Sequence, residues 1–295
     1  MTQLLITILC AALLICSNVA FGFQSAGPSH LAVSSHLLRS HPPSSSTHQI
    51  LATKQIFSRR QTIRFLSSDQ VEDNDPSIKI VKKKDDTLFD LKTTLFLVGG
   101  QSLLIGIAAG FAKMFNIPNF GLGPDINLNL SALQQGFLMA LPMGGLAALL
   151  DQVEDKFPAL QDVTKATHKS VLALLGGNFK PLLGLIIAIA LGFAAGFGEE
   201  MLFRGVLQYG LAAKVGTAAS LVVASLIFGA LHAVTPLYAL LAGVASVYFG
   251  YLYLSFGNLA VPIYAHALYD VGALYYAHWT VSQLSDEEQS ELASM

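Results

Sequence analysis

The stretch from Pro181 to Thr280 is almost entirely apolar, yet it keeps five charged side chains. Three of them fall within six positions: Glu199, Glu200 and Arg204. An ionised side chain at bilayer depth costs at least ~2.5–3.5 kcal/mol, so it is retained where it is paired, lines a watery cavity or takes part in chemistry. Two adjacent carboxylates in such a stretch indicate an acid–base site.

The composition is that of a membrane protein. The 295 residues are 53% hydrophobic and only 12% charged, and the mean hydropathy is +0.55, which is far more apolar than a soluble domain of this size. The net charge of −2 offers no basic surface for nucleic acid. Both cysteines, Cys10 and Cys16, lie in the first apolar run, so removal of that run leaves no disulfide, cysteine nucleophile or cysteine-ligated metal.

The N-terminus has two parts that indicate targeting. Residues 1–22 contain an apolar run, Leu4 to Val19, of signal-peptide length, followed by a cleavage point at Ala20 before Phe21. Residues 23–88 are rich in serine and basic side chains, and no acidic residue occurs before Asp69, as in transit peptides. Together they resemble the two-part presequence of algae with complex plastids. The alternative is a disordered cytosolic tail behind a signal anchor, in the endoplasmic reticulum membrane; either way we expect no fold before about residue 88.

Long apolar segments follow in residues 89–280 and predict an all-α, polytopic bundle of about six transmembrane helices. Each is near the ~20 residues that cross ~30 Å of hydrocarbon. The predicted spans are Leu95–Phe115, Ala132–Leu150, Leu182–Phe203, Ala218–Val234, Tyr238–Phe256 and Leu259–Trp279. We expect the charged segment Asp151–Lys180 to be a wet loop with an interfacial helix, and residues 281–295 to be an acidic soluble tail. Lys214 and His278, near predicted span ends, are expected to reach the interface and to take no part in chemistry.

Three pairs of residues lie four apart on successive predicted helices. Glu200 and Arg204 share a helix face and can pair. Phe228 and His232 form the second pair, and His266 and Asp270 the third. Each has a structural interpretation: an interfacial ion pair, a core phenylalanine with an interfacial histidine, and a hydrogen bond that locks two helices. If all three structural interpretations were correct, almost every ionisable group of the region would be there by chance. A shared functional site is the better explanation.

The ordered set of motifs resembles that of a known family. EExxxR, then FxxxH, then HxxxN/D is similar to the CPBP family, the type II CAAX prenyl endopeptidases or ABI group. Glu199, Glu200 and Arg204 match the first motif, and the other two pairs match the second and third. The resemblance covers residues 182–279, about a third of the chain, and implies an intramembrane protease fold.

The resemblance also implies roles for the residues. Glu199 would be the general base and His232 would help to orient and deprotonate the water, while His266 would stabilise the oxyanion. Glu200 and Arg204 would brace the site, or Arg204 would meet a substrate carboxylate. Asp270 stands where Asn is often found; an ionised Asp cannot donate a hydrogen bond, so it is either protonated or orients His266 by accepting from its ring.

No cofactor is predicted, although zinc held by Glu199, His232 and His266 stays open as an alternative. The sequence lacks the H-E-x-x-H motif, and it lacks the Gly-x-Ser-Gly turn of a rhomboid-like serine enzyme.

The leading functional prediction is an intramembrane endopeptidase in a plastid membrane, whose partners are the bilayer and a membrane-protein or membrane-bound peptide substrate. A non-catalytic scaffold with the same fold is the main alternative. A transporter is a third hypothesis, but the paired broken helices that would support it are missing.

Overall fold

Long apolar runs separated by proline, glycine and asparagine form helices throughout the described part of the chain. The structure is a computed structural model that describes residues 90–124 and 126–295. The signal-like segment 1–22 and the transit-like segment 23–88 lie outside the described residues. Those that are described belong to one compact unit that contains helices and no strand.

Nine α-helices follow one another within residues 90–124 and 126–295. They are α1 (Leu91–Met114), α2 (Leu130–Val153), α3 (Pro158–Leu175), α4 (Pro181–Glu200), α5 (Tyr209–Val215), α6 (Thr217–Leu231), α7 (Pro236–Phe256), α8 (Ala260–Val281) and α9 (Asp286–Ser294). A π-helical segment, Met201–Gln208, joins α4 to α5 without a break. Short 3₁₀ turns lie at Pro118–Gly121 and Glu154–Lys156.

All six predicted spans coincide with helices, and four of them are long and apolar enough to cross a bilayer. These four are Leu91–Met114, Leu130–Lys156, Pro181–Val215 and Pro236–Phe256. Helix α6 is apolar but has only 15 residues, and α8 carries His266, Asp270 and His278. Large apolar side chains point away from the protein on these helices, such as Leu182 at 71% exposure and Leu226 at 68%. This surface suits lipid rather than water.

The local chemistry of the sequence fixes where the helices begin. The side chains of Asp90, Asn129 and Thr235 accept from backbone N–H groups in the first turns of α1, α2 and α7. Helices α3, α4 and α7 start with a proline, which lacks the N–H that a first turn cannot satisfy.

Glycines on α4 allow this helix to lie directly against α8. A Cβ at Gly196 would be 2.8 Å from the backbone nitrogen of Ala267 and 2.9 Å from its Cβ. One turn earlier, a Cβ at Gly192 would be 2.8 Å from the carbonyl oxygen of Ala267. These two helices pair more extensively than any other two in the bundle. The close contact brings the C-terminal end of α4 beside His266 of α8.

The π-helical segment continues α4 with a wider turn. The N–H of Tyr209 bonds to the carbonyl of Arg204, five residues back, rather than four. Gly205 lies at this turn against the carbonyl oxygen of Gly121, in a position where any Cβ would clash. π-Helical turns are rare and often occur at functional sites. Here the π-helical segment begins right after the adjacent Glu199 and Glu200, and it contains Arg204.

The structure corrects two expectations and refines a third. Much of the segment predicted as a wet loop, Asp151–Lys180, is helix α3, whose buried face packs on α8. His278 does not reach the interface: it is buried, and its Nε2 accepts from the N–H of Lys180, where α4 begins. Lys214 is exposed, as predicted. The acidic tail includes a capped helix, α9, whose Gln289 donates to the carbonyl of Gly177.

Replacement of Gly196 by valine tests whether the α4–α8 contact supports the fold. We expect Gly196→Val to lower the Tm of the detergent-solubilised protein by roughly 5 °C or more, because the new side chain overpacks the contact with Ala267. Gly106→Val is the matched control, since a Cβ there meets no atom within 4 Å. Equal Tm values for the two variants would contradict this account of the packing.

Candidate active site

The end of α4 and the π-helical segment place three charged side chains inside the protein. Glu199 is 4% exposed, Glu200 is 0% and Arg204 is 1%. Charges buried to this degree must be paired and hydrogen-bonded to be tolerated. The structure supplies partners from three further helices: α6, α7 and α8.

The guanidinium of Arg204 is held on several sides. Its Nη1 donates to Oε1 of Glu200 at 2.9 Å, as the four-residue spacing predicted. Its Nη2 donates to the carbonyl oxygen of Ser246 at 2.8 Å and to the Ser246 hydroxyl at 2.9 Å. The rings of Phe228 and Phe249 lie 5.2 and 5.6 Å from its Cζ. Both terminal nitrogens are therefore engaged, which favours the bracing role over contact with a substrate carboxylate.

The same carboxylate oxygen binds a histidine from α8. Nδ1 of His266 lies 2.8 Å from Oε1 of Glu200. Because an ionised carboxylate can only accept, Nδ1 carries the proton. The His266 ring also stacks on Phe249, at a centroid distance of 4.6 Å and an angle of 13°. Glu200 and Phe249 thus fix the orientation of the imidazole, so that Nε2 faces the other two carboxylates.

Nε2 of His266 lies between Asp270 and Glu199. Oδ2 of Asp270 is 3.4 Å away and Oε2 of Glu199 is 4.0 Å away. The predicted pair His266 and Asp270 therefore meet on one face of α8. Asp270 is in a position to accept from the ring, which is the second of the two arrangements that the sequence left open.

His232 is the second histidine near Glu199. It caps α6, and its Nδ1 donates to the carbonyl oxygen of Phe228 at 2.8 Å. Its ring stacks on the Phe228 ring, at a centroid distance of 4.2 Å and an angle of 16°. In the neutral form of the ring this leaves the lone pair on Nε2, which lies 3.7 Å from Oε2 of Glu199. The FxxxH spacing thus positions the histidine both by a hydrogen bond and by stacking.

The structure brings all six predicted site residues together: Glu199, Glu200, Arg204, His232, His266 and Asp270. Sequence reasoning missed Ser246 and Phe249, which complete the surroundings of Arg204 and His266. A serine and a phenylalanine within an apolar helix are ordinary residues, so no signal in the sequence distinguished them.

The zinc alternative depends on how the side chains of the site are arranged. Within residues 90–124 and 126–295, no group of three or more His, Cys, Asp or Glu side chains has the arrangement of a metal site. Glu199, His232 and His266 are the zinc ligands that the sequence left open as an alternative. The carboxylate oxygen of Glu199 lies 3.7 and 4.0 Å from the two imidazole nitrogens.

Replacement of Arg204 tests the buried pair. We expect Arg204→Met to cost about 3–5 kcal/mol of stability, because it leaves the Glu200 carboxylate buried without its cation. The double variant Glu200→Gln/Arg204→Met should have a higher Tm than Arg204→Met alone, since it also removes the unpaired charge. Thermal unfolding in detergent measures both variants. If Arg204→Met were as stable as the wild type, the Glu200–Arg204 pair would not support the fold.

Comparison with known proteins identifies the region that holds the site. Residues 181–272 match the family described as type II CAAX prenyl endopeptidase Rce1-like. No curated protein and no solved structure matches the chain. The matched residues include all three motifs, and the apolar helices agree with a membrane endopeptidase at the level of the family. This match to the family model covers the three motifs and confirms the resemblance drawn from them.

Proposed function

We propose that this protein hydrolyses a peptide bond of a membrane-associated protein or peptide, with a water molecule activated by Glu199 and His232. One observation carries the proposal: Oε2 of the buried Glu199 faces the Nε2 atoms of two histidines from different helices, at 3.7 and 4.0 Å. A scaffold does not need this arrangement, since Glu200 and Arg204 already link the end of α4 and the π-helical segment to α8 and α7.

The separation between Glu199 and His232 suits an attacking water. At 3.7 Å the two atoms are too far apart for a direct hydrogen bond, and a single water can bridge such a distance. Both atoms accept hydrogen bonds, because Nδ1 of His232 carries the ring proton and donates to Phe228. The water would therefore direct its two O–H groups at Glu199 and His232 and its lone pair at the substrate carbonyl.

Proton transfer then balances the reaction. As the water oxygen bonds to the carbonyl carbon, its proton passes to Glu199, and the carbonyl oxygen becomes an oxyanion. When the C–N bond breaks, Glu199 returns the proton to the leaving amine. His266 would donate to the oxyanion from Nε2, while Glu200 holds the other ring nitrogen and Asp270 lies beside the ring.

We favour this metal-free mechanism over zinc. Zinc at Glu199, His232 and His266 would supply a Lewis acid and a more acidic water. The hydrogen bonds from Nδ1 of both histidines would orient their Nε2 atoms in either case. The two mechanisms therefore differ in their response to chelators rather than in which residues they need.

Replacement of Glu199 by glutamine tests the mechanism. The full-length wild type and Glu199→Gln would be reconstituted in liposomes and given a library of membrane peptides, with cleavage followed by mass spectrometry. We expect the variant to lose turnover by at least about 1,000-fold, because the amide cannot accept the proton, and to keep its Tm. Glu287→Gln, the same change on the exposed helix α9, is the matched control and should cleave like the wild type.

The same assay separates the alternatives. Turnover that survives chelator treatment would support the metal-free mechanism, and loss that zinc restores would overturn it. Equal cleavage by the wild type and Glu199→Gln would refute the assignment of the base. A folded wild type that cleaves nothing would favour the scaffold hypothesis.

The N-terminal segments support a proposal about location and substrate. A signal-like run followed by a basic, serine-rich segment favours a plastid membrane, with the endoplasmic reticulum as the alternative. Prenylated CaaX proteins are processed on membranes that face the cytosol, so inside a plastid they would be unexpected substrates. We therefore propose a different plastid membrane protein as the substrate.

A fluorescent fusion tests the location. We expect residues 1–75 fused to a fluorescent protein to enter the plastid of an alga with complex plastids. Removal of residues 1–22 from the fusion should abolish entry, because the signal-like run would be needed to cross the outermost membrane. A fusion that stays in the cytosol, or that stops in the endoplasmic reticulum, would contradict the plastid proposal.

A further inference from the structure

The site has a buried side and an open side. The side chains of Glu199, Glu200, Arg204 and His266 are at most 8% exposed. The side chain of His232 is 22% exposed and that of Asp270 is 33% exposed. A peptide must therefore reach Glu199 from the side on which His232 and Asp270 lie. Any further residue that touches the substrate carbonyl should lie on this open side.

Tyr238 lies there. The residue is 36% exposed, and its ring centroid is 6.4 Å from that of His232. Its electrostatic neighbours are Asp270, Tyr269 and Glu199. The hydroxyl forms no hydrogen bond with any residue that the structure describes, whereas the backbone N–H of Tyr238 bonds to the cap residue Thr235 at 3.1 Å. The start of α7 is therefore fixed, and the hydroxyl is available to a ligand.

Among the motif residues that line the site, few donors are left for an oxyanion. Asp270 and Glu199, when ionised, can only accept hydrogen bonds. The Nδ1 proton of His232 is already given to the carbonyl of Phe228. That leaves Nε2 of His266, and Asp270 competes for it at 3.4 Å. Oxyanions in acyl transfer are commonly held by more than one neutral donor, and a tyrosine hydroxyl is one.

We infer that the hydroxyl of Tyr238 donates a hydrogen bond to the carbonyl oxygen of the scissile peptide bond, most strongly when that oxygen carries the charge of the tetrahedral intermediate. This inference rests on the proposed function and adds a catalytic residue outside the three motifs. Tyr238 supplies the donor that Asp270, when ionised, does not. No bond to the tyrosine forms or breaks, so its proton stays on the phenol oxygen throughout.

The test compares three variants with the wild type on a peptide that the full-length protein cleaves in liposomes. We expect Tyr238→Phe to lower kcat by roughly 100-fold with little change in KM, because the lost bond acts in the transition state. Tyr251→Phe is the matched control: it removes the same hydroxyl from the same helix at a position 60% exposed, and it should keep the kcat of the wild type. Tyr238→Leu removes both the ring and the hydroxyl and reports on packing against His232.

The outcomes separate this inference from the function on which it rests. A kcat of Tyr238→Phe equal to that of the wild type, with Glu199→Gln inactive on the same peptide, would overturn the role of Tyr238 alone. So would a loss seen in Tyr238→Leu but not in Tyr238→Phe, since that pattern marks packing by the ring. Full activity of Glu199→Gln would refute the proposed function itself, and with it the inference. A Tm of Tyr238→Phe equal to that of the wild type shows that its lowered kcat does not come from misfolding.

Discussion

One carboxylate oxygen organises the interior of this protein. Oε1 of Glu200 accepts from Arg204 at 2.9 Å and from His266 at 2.8 Å, and the residue has no exposed surface. Removing a carboxylate from water costs several kcal/mol, and the cost is offset only by donors in good geometry. Arg204 in turn needs Ser246 to occupy its second nitrogen. The stability of each of these groups therefore depends on the positions of the others.

This network requires backbones that lie unusually close. Gly192 and Gly196 let α4 touch α8 around Ala267, which places the end of α4 within hydrogen-bonding distance of His266. Gly205 lets the loop around Gly121 lie against the π-helical segment. In a bilayer, where apolar contact with lipid is as good as contact with protein, small residues and interhelical hydrogen bonds drive association. The glycines and the buried charges thus depend on one another: the glycines allow the contact, and the charges hold it.

Much of this arrangement could be predicted from the sequence, and the reason is helical spacing. Glu200 with Arg204 and His266 with Asp270 share helix faces because each pair is four residues apart. The meeting of Glu200 with His266, 66 residues later, does not follow from any spacing within a helix. The sequence predicted only that the three motifs share one site, not this contact. Ser246 was not foreseen, since a serine in a helix commonly bonds to its own backbone.

The expectations that failed did so for related reasons. The charges of Asp151–Lys180 indicated a loop, but α3 buries Val171, Leu174 and Leu175 on one face, and a single buried face is enough to hold a helix. His278 was expected at the interface because it lies near the end of a predicted span. Its actual partner is the backbone N–H of Lys180, and a backbone donor leaves no signal in a sequence.

The residues on the buried side of the site are held by one another. This explains why the open side can carry Asp270 where Asn is often found. Glu200 and Phe249 hold the His266 ring from the buried side, and Arg204 holds Glu200, so the ring keeps these supports whichever residue stands at position 270. An asparagine there could donate to an oxyanion, whereas an ionised aspartate can accept from His266 but cannot donate. Exchanging one for the other removes a donor without disturbing the fold beneath it. In our proposal the hydroxyl of Tyr238, from another helix on the same open side, replaces the lost donor, since it bonds to no residue that the structure describes.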